Sequence, residues 1–169
     1  MKRGFTLVEL LIVIAIMGIL TSITVSQFIT AKKKANDVAR KSDLNGISKA
    51  LQMYFTDYGK MPAMSVDGKG KIMINSNTLN WGDEFKDGDY VYMIKLPKEN
   101  NSAMAPYCYK TDSEKKKYAL FAQLENTGDK ECVGKYKCGN DIVGIYCFSY
   151  VSPNTSLDVN GNLLWKDLA

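Results

Sequence analysis

Glu9 is a lone carboxylate inside an apolar run, four residues after Phe5 and just beyond Gly4. These three residues carry the chemistry the sequence offers most plainly. The chain begins MKRGFTLVELLIVIAIMGILTSITV, a tiny basic leader, a glycine and then the apolar stretch. An ordinary secretory signal places its small-residue cleavage site after such a stretch. Here the glycine stands before it, so a cut between Gly4 and Phe5 removes only residues 1–4 and leaves the apolar segment in the mature chain. The cut also creates an amino group on Phe5. A carboxylate within an apolar helix costs on the order of 2.5–3.5 kcal/mol on insertion scales, and such groups are usually functional and paired. The Phe5 amine, of the same chain or of a neighbour, is a cation that would offset the desolvation of Glu9. The competing reading is a water-facing glutamate one turn from the helix start.

The element that must position this set is a helix. Residues 5–25 would form about 31 Å of helix at about 1.5 Å per residue, against a hydrocarbon core of about 30 Å. That segment can span a membrane. Residues 31–58 contain no proline and turn amphipathic. Ile47, Leu51, Tyr54 and Tyr58 recur at i, i+4, i+7 and i+11, with Leu44 and Phe55 widening the stripe. Lys32, Lys33, Arg40, Lys41 and Asp43 are assigned to the solvated side. Gly59 and Pro62 supply the stop, giving residues 5–58 a length of about 80 Å if helical throughout.

Residues 59–105 are expected to form a connecting loop, rich in Gly, Ser, Asn and Lys over 63–105, with a short helix or ordered loop over 81–96. Strand-like runs follow at 107–110, 118–124 and 142–151, and residues 156–164 bracket Asn160-Gly161, a two-residue hairpin signal. The expected fold class is α+β, a long N-terminal helical spine with a small C-terminal antiparallel β-sheet head on its apolar stripe. The expected divisions are a leader at 1–4, a transmembrane helix at 5–30 and a head at 31–169. The head comprises an amphipathic helix at 31–58, the loop at 59–105 and the sheet region at 106–169.

The run Gly4-Phe5-Thr6-Leu7-Val8-Glu9-Leu10-Leu11-Ile12-Val13-Ile14-Ala15-Ile16-Met17-Gly18-Ile19-Leu20 resembles the class III signal of type IV pilins and type II secretion pseudopilins. The resemblance implies a type IV pilin-like fold and cleavage by a prepilin peptidase between Gly4 and Phe5, with N-methylation of Phe5. It implies that Glu9 directs docking of each subunit onto a homo-oligomeric helical filament, built at an inner-membrane assembly platform. Before assembly the chain would lie in membrane lipid as a single-pass inner-membrane protein, its head outside the cytoplasm. Afterwards it would belong to an extracellular pilus or an envelope-spanning pseudopilus. Many relatives have a proline where this chain has Ser26, so a helix-weakening point is missing here. Charge alone leaves the orientation open, because Lys2 and Arg3 compete with Lys32, Lys33, Lys34, Arg40 and Lys41 beyond the span. The segment Ala105-Pro106-Tyr107-Cys108-Tyr109 also resembles the proline-tyrosine motif of major pseudopilins, without the Asp-Pro-Trp-Gly that usually precedes it.

Cys108, Cys132, Cys138 and Cys147 form an even set, which in an exported chain reads as a disulfide framework. Three pairings are open. The reading favoured by position joins Cys132 with Cys138 and Cys108 with Cys147, with free thiols as the competitor. The spacing of Cys132 and Cys138 is not that of a zinc site. Asp158, Asn160 and Asn162 alternate like the start of a calcium loop, but the glycine after the third ligand and the closing glutamate are missing, and a plain hairpin turn is favoured. No other cofactor is expected. Lys115-Lys116-Lys117 offers charge for nucleic-acid phosphates, though a solvated loop before a strand is the preferred reading. The net charge of +4 includes Lys2 and Arg3, so loss of the leader leaves +2, too mild to argue for a nucleic-acid partner.

There is no histidine, and Asp112, Glu114 and Asp141 make no recognisable catalytic pair, so an enzyme is not expected. Three readings of function follow. The chain is a structural subunit of a type IV pilus-like filament, a major pseudopilin of a type II secretion system, or a monomeric membrane-anchored binding domain.

Overall fold

The computed structural model describes residues 4–132, 136–138, 142–153, 155–157 and 163–165. The chain divides into two units, Met1–Asn36 and Asp37–Ala169, at a point inside its one long helix, α1 (Leu7–Tyr58).

In the first unit the apolar side chains have no inside. Leu10, Ile12, Ile14, Ile16, Met17 and Leu20 point in different directions around α1 and are all more than half exposed. A helix apolar on every side needs surroundings as apolar as itself. Three of its hydroxyls are satisfied locally, as lipid would require: Thr21, Ser22 and Thr24 donate to the carbonyls of Met17, Ile19 and Leu20 at 2.7–2.8 Å.

In the second unit α1 is amphipathic and buries Leu44, Ile47, Ala50, Leu51 and Tyr54. Gly59, with φ of 65°, ends it by donating its N–H to the Phe55 carbonyl at 2.8 Å, the left-handed glycine cap. Two side chains differ from the expected stripe. Tyr58 is 41 % exposed and lies at the border, its ring 4.5 Å from that of Tyr54. Arg40, assigned to solvent from the sequence, is only 4 % exposed.

The segment expected to be a connecting loop contains five short strands, β1 (Ala63–Met64), β2 (Ile72–Ile74), β3 (Asn77–Thr78), β4 (Phe85–Asp87) and β5 (Tyr90–Met93). The first three make a small antiparallel sheet, and the last two a hairpin where the sequence suggested a short helix or ordered loop. Gly88, with φ of 57°, takes the first position of the two-residue turn between Asp87 and Tyr90. The hairpin is anchored by Phe85, whose ring lies 5.8 Å from that of Tyr54.

The principal sheet contains β6 (Cys108–Thr111), β7 (Tyr118–Ala122) and β10 (Phe148–Val151), in the antiparallel order β10-β7-β6. Every residue of the central β7 is buried, and its alternation divides them between two cores. Tyr118, Leu120 and Ala122 join the helix stripe; Ala119 and Phe121 join Cys108, Tyr136, Cys138 and Tyr146. The run read as one strand over 142–151 is two, β9 (Ile142–Tyr146) and β10, interrupted at Cys147. Each half serves a different partner: β9 pairs with β8 (Tyr136–Cys138), while β10 pairs with β7. The C-terminal hairpin is present as β11 (Thr155–Leu157) against β12 (Leu163–Trp165), with Leu157 opposite Leu163. Its Asn160-Gly161 turn lies outside the described residues.

Candidate functional site

The residues expected to be processed come just before α1. Gly4, Phe5 and Thr6 are not helical, all three are exposed, and a side chain at Gly4 would meet nothing within 4 Å. An open, non-helical peptide suits a protease, which must draw the scissile bond into its own cleft. Phe5 itself is 83 % exposed.

Glu9 has a structural partner that the sequence reading missed. Its Oε2 accepts the Thr6 backbone N–H at 2.9 Å and the Thr6 hydroxyl at 2.7 Å, while the Glu9 N–H donates to Thr6 Oγ1 at 3.3 Å. The Thr6 carbonyl accepts the Leu10 N–H at 3.3 Å, so Thr6 is the N-cap and Glu9 the third helical residue. This is a capping box, in which two orphan donors of the first turn are satisfied reciprocally. The pattern Thr-x-x-Glu ahead of an apolar run was legible at Thr6-Leu7-Val8-Glu9. A carboxylate here is therefore useful to any helix that starts at Leu7, filament subunit or simple anchor.

The second unit holds a buried charge cluster around Arg40, which the sequence assigned to the solvated side. Arg40 reaches three carboxylates: Nη1 donates to Asp37 Oδ1 at 2.8 Å, Nε to Glu99 Oε2 at 2.6 Å and Nη2 to Glu125 Oε1 at 3.0 Å. Asp37, 1 % exposed, also accepts the backbone N–H groups of Glu125 and Asn126 at 2.8 and 2.9 Å. Helix α1 thereby holds two loops, the one after β5 through Glu99 and the one after β7 through Glu125 and Asn126. Burial disfavours the Arg40 charge, but its bonds to Glu99, Glu125 and Asp37 outweigh that, and its pKa is raised. Burial likewise opposes ionisation of Glu99, yet Arg40 and the Asn101 N–H hold its pKa below the usual carboxylate value. Next to Arg40 in sequence, Lys41 Nζ bridges Asp129 and Glu131 on the same loop as Glu125. Tyr107 adds a bond from its hydroxyl to Asp43 Oδ2 at 2.7 Å.

All four cysteines are oxidised, but not in the expected pairs. Cys108 joins Cys138, and Cys132 joins Cys147. The strand order explains the correction. Cys108 on β6 points to the same inner face as Cys138 on β8, both in the second core. Cys147 lies at the break between β9 and β10, with its Cα 4.5 Å from that of Cys132. The backbone of Gly70 presses on the Cys108–Cys138 bridge: it has φ of 60°, its carbonyl accepts the Tyr109 N–H at 2.7 Å, and a Cβ there would collide with both sulfurs.

The remaining candidates disperse. Of Lys115-Lys116-Lys117 only Lys116 is exposed; it pairs with Glu114, and Lys117 is buried beside β7. Asp112 caps that loop by accepting the Lys116 and Lys117 N–H groups, both at 2.8 Å. The calcium candidates Asp158, Asn160 and Asn162, and the carboxylate Asp141, lie outside the described residues.

The model described as the prokaryotic N-terminal methylation motif matches residues 1–25, and that of type II secretion system (T2SS), protein G matches residues 27–142. The type II secretion system core protein G of Pseudomonas aeruginosa is 32% identical over 99 residues, which is 57% of this chain and 66% of that protein. The protein of the same description from Aeromonas hydrophila is 31% identical over 98 residues, 58% of this chain and 66% of its own length. A major component of the type IV wide pilus of Thermus thermophilus is 46% identical over 55 residues, 32% of this chain and 42% of that protein. The chain thus spans just under two thirds, 66%, of the first two of these relatives and less of the third. No solved structure matches it.

Proposed function

Because the chain belongs to the family of type II secretion system protein G, whose model covers residues 27–142, we propose that it is a structural subunit of a pilus-like filament. In this reading a prepilin peptidase cuts between Gly4 and Phe5 and methylates the Phe5 amine. The mature chain waits in the inner membrane with its head outside the cytoplasm. An assembly platform then moves its N-terminal helix from lipid into the centre of a helical filament. The observation that carries the proposal is the first unit of α1, apolar and exposed on every side from Leu7 to Ile29.

The physics of that transfer assigns different work to different residues. Lipid tails are as apolar as leucine, so moving the helix into a bundle gains little hydrophobic energy. Packing and polar contacts must decide it. Gly18 and Ser22, four apart, leave room for a neighbouring backbone. Glu9 supplies the polar term, its carboxylate facing the free amine that cleavage leaves on Phe5 of an adjacent subunit.

Between the two filament kinds, the protein G match over the head region favours a secretion pseudopilus above an extracellular pilus. Electron microscopy of the native envelope with the subunit labelled, together with the mass of its N-terminal peptide, tests the proposal. The expected result is labelled filaments whose subunits begin at methylated Phe5. Labelled chain found only as dispersed membrane monomers, or with Met1 retained, would overturn it.

A further inference from the structure

The geometry points to Lys32, Lys33 and Lys34 as a binding site for anionic phospholipid headgroups, in the leaflet that meets the C-terminal end of the span. The inference rests on the membrane-resident state proposed above. Three observations lead to it. The first is position. From Leu7 to Lys33 the helix rises about 39 Å at about 1.5 Å per residue, with Phe5 and Thr6 ahead of it, against about 40–45 Å for a bilayer with its headgroup layers. With Phe5 at one headgroup level, the three lysines arrive at the other.

The second observation is that all three ammonium groups are uncompensated. Each is exposed, and none forms an ion pair or hydrogen bond with any described residue. The contrast with Arg40 and Lys41, whose charges meet five carboxylates, is sharp. The third is angular spread. Consecutive helical residues are about 100° apart, so three cover about 200° of the circumference. A single protein neighbour touches one face of a helix. A layer of headgroups surrounds it, and long lysine stems reach outward to phosphates on all sides. A charge fan of this kind suits a lipid surface better than a second copy of the chain.

The consequence concerns the membrane pool. Clustered lysines beside a span draw anionic lipid by roughly five-fold each, or on the order of a hundred-fold for three. The site would hold the span at fixed depth, and each subunit leaving the bilayer for a filament would have to release those lipids.

The test uses the full-length chain and its Lys32→Gln/Lys33→Gln/Lys34→Gln variant, solubilised with a mixture of phosphatidylglycerol and phosphatidylcholine. Retained lipid is counted by native mass spectrometry. Wild type should hold phosphatidylglycerol at least ten-fold over phosphatidylcholine, and the variant should show little preference. Added salt should erase the preference, because exposed charges are screened. Inorganic phosphate at equal ionic strength should displace no more lipid than chloride does. Equal retention of the two lipids by wild type, or an unchanged preference in the variant, would overturn the site. So would selective displacement by inorganic phosphate, or lysine-dependent crosslinked dimers in phosphatidylcholine alone, which would assign the fan to a free anion or to a second copy. Flotation with vesicles of either composition is read in parallel. Failure to float would remove the span itself, whereas flotation without lipid preference removes only this inference.

Discussion

Helix α1 is one element that follows two rules. From Leu7 to Ile29 its described apolar residues are exposed on all sides, and the hydroxyls of Thr21, Ser22 and Thr24 donate to carbonyls within a turn. From Asp37 onward the buried residues sit three or four apart, and everything they need is supplied by the head. The difference shows what a helix owes to its surroundings. The second unit covers its own stripe with β6, β7 and the β4–β5 hairpin. The first covers none of its apolar surface itself, and in the function proposed above lipid or other copies do so.

Truncation should break that comparison most visibly. A chain beginning near residue 31 should be soluble and monomeric, because it loses the all-apolar surface and keeps Leu44 to Tyr54. A chain beginning after Leu51 should aggregate, since it bares the sheet face that this stripe covers. Size-exclusion chromatography reads both. Equal aggregation of the two would show that the units do not divide where the burial does.

The next largest effect lies in the charge cluster. In the soluble head, Arg40→Met leaves Asp37, Glu99 and Glu125 close together without their shared cation. The expected loss is about 3–5 kcal/mol, or roughly 10–20 °C in Tm. Lys32→Met in the same fragment should leave Tm unchanged, because Lys32 is exposed and outside the compact unit. Comparable shifts from the two would contradict the buried-versus-solvated contrast. Replacing both members of one disulfide by serine should cost about 2–4 kcal/mol, with Cys132–Cys147 closing the shorter loop of 15 residues and Cys108–Cys138 the longer of 30. Non-reducing peptide mapping checks the connectivity directly; a Cys132 to Cys138 peptide would restore the sequence expectation.

Acid should act more gently. The Glu99 and Asp129 carboxyls have pKa values lowered by their cations and backbone donors, so their stabilisation is present above the unfolded values near 4 and is lost as pH falls through the folded ones. The Tm of the head should therefore hold from neutral pH to about 5 and decline below about 4. Glu99→Gln should lower the plateau and flatten the decline. A decline of the same slope in that variant would place the titration elsewhere.

How much of this was legible depends on whether a local pattern carried the information. The apolar run, the helix stop at Gly59 and the strands at β6 and β7 are local, and the residues state them. The cysteine pairing is not local, because it depends on β9 and β10 parting company at Cys147, which period-two alternation over 142–151 cannot show. Arg40 is the more instructive miss. Counting back from Tyr54 through Leu51, Ile47 and Leu44 by steps of three and four lands on Arg40 and then Asp37. The helical period placed both on the buried face, and residue type alone sent Arg40 to solvent. Gly88-Asp89 between Asp87 and Tyr90 is an equally readable two-residue hairpin signal in a stretch expected to be a short helix or ordered loop.

The smallest expected effect on stability settles the largest question about the first unit, which is why Glu9 is there. Two roles compete: the capping box with Thr6, and a pair with the Phe5 amine of a neighbour. Glu9→Ala confounds them, because it removes both. Glutamine keeps an oxygen for the Thr6 N–H and is itself a good residue at this position of a capping box, but it carries no charge. Thr6→Val does the reverse, deleting the hydroxyl acceptor of the Glu9 N–H while leaving the carboxylate ionisable. In the membrane-embedded monomer, Thr6→Val should loosen the first turn by about 1 kcal/mol, seen as roughly five-fold faster hydrogen exchange at Val8 and Glu9, while Glu9→Gln exchanges nearly as wild type. Filament yield should rank them the other way. Glu9→Gln should be cleaved after Gly4, inserted and unassembled, because a neighbour's cation would face no counter-charge in an apolar site. Thr6→Val should assemble at reduced but measurable yield. If Glu9→Gln builds filaments as well as wild type while Thr6→Val does not, the carboxylate serves the helix start alone, and subunit register must come from packing along the exposed face of α1.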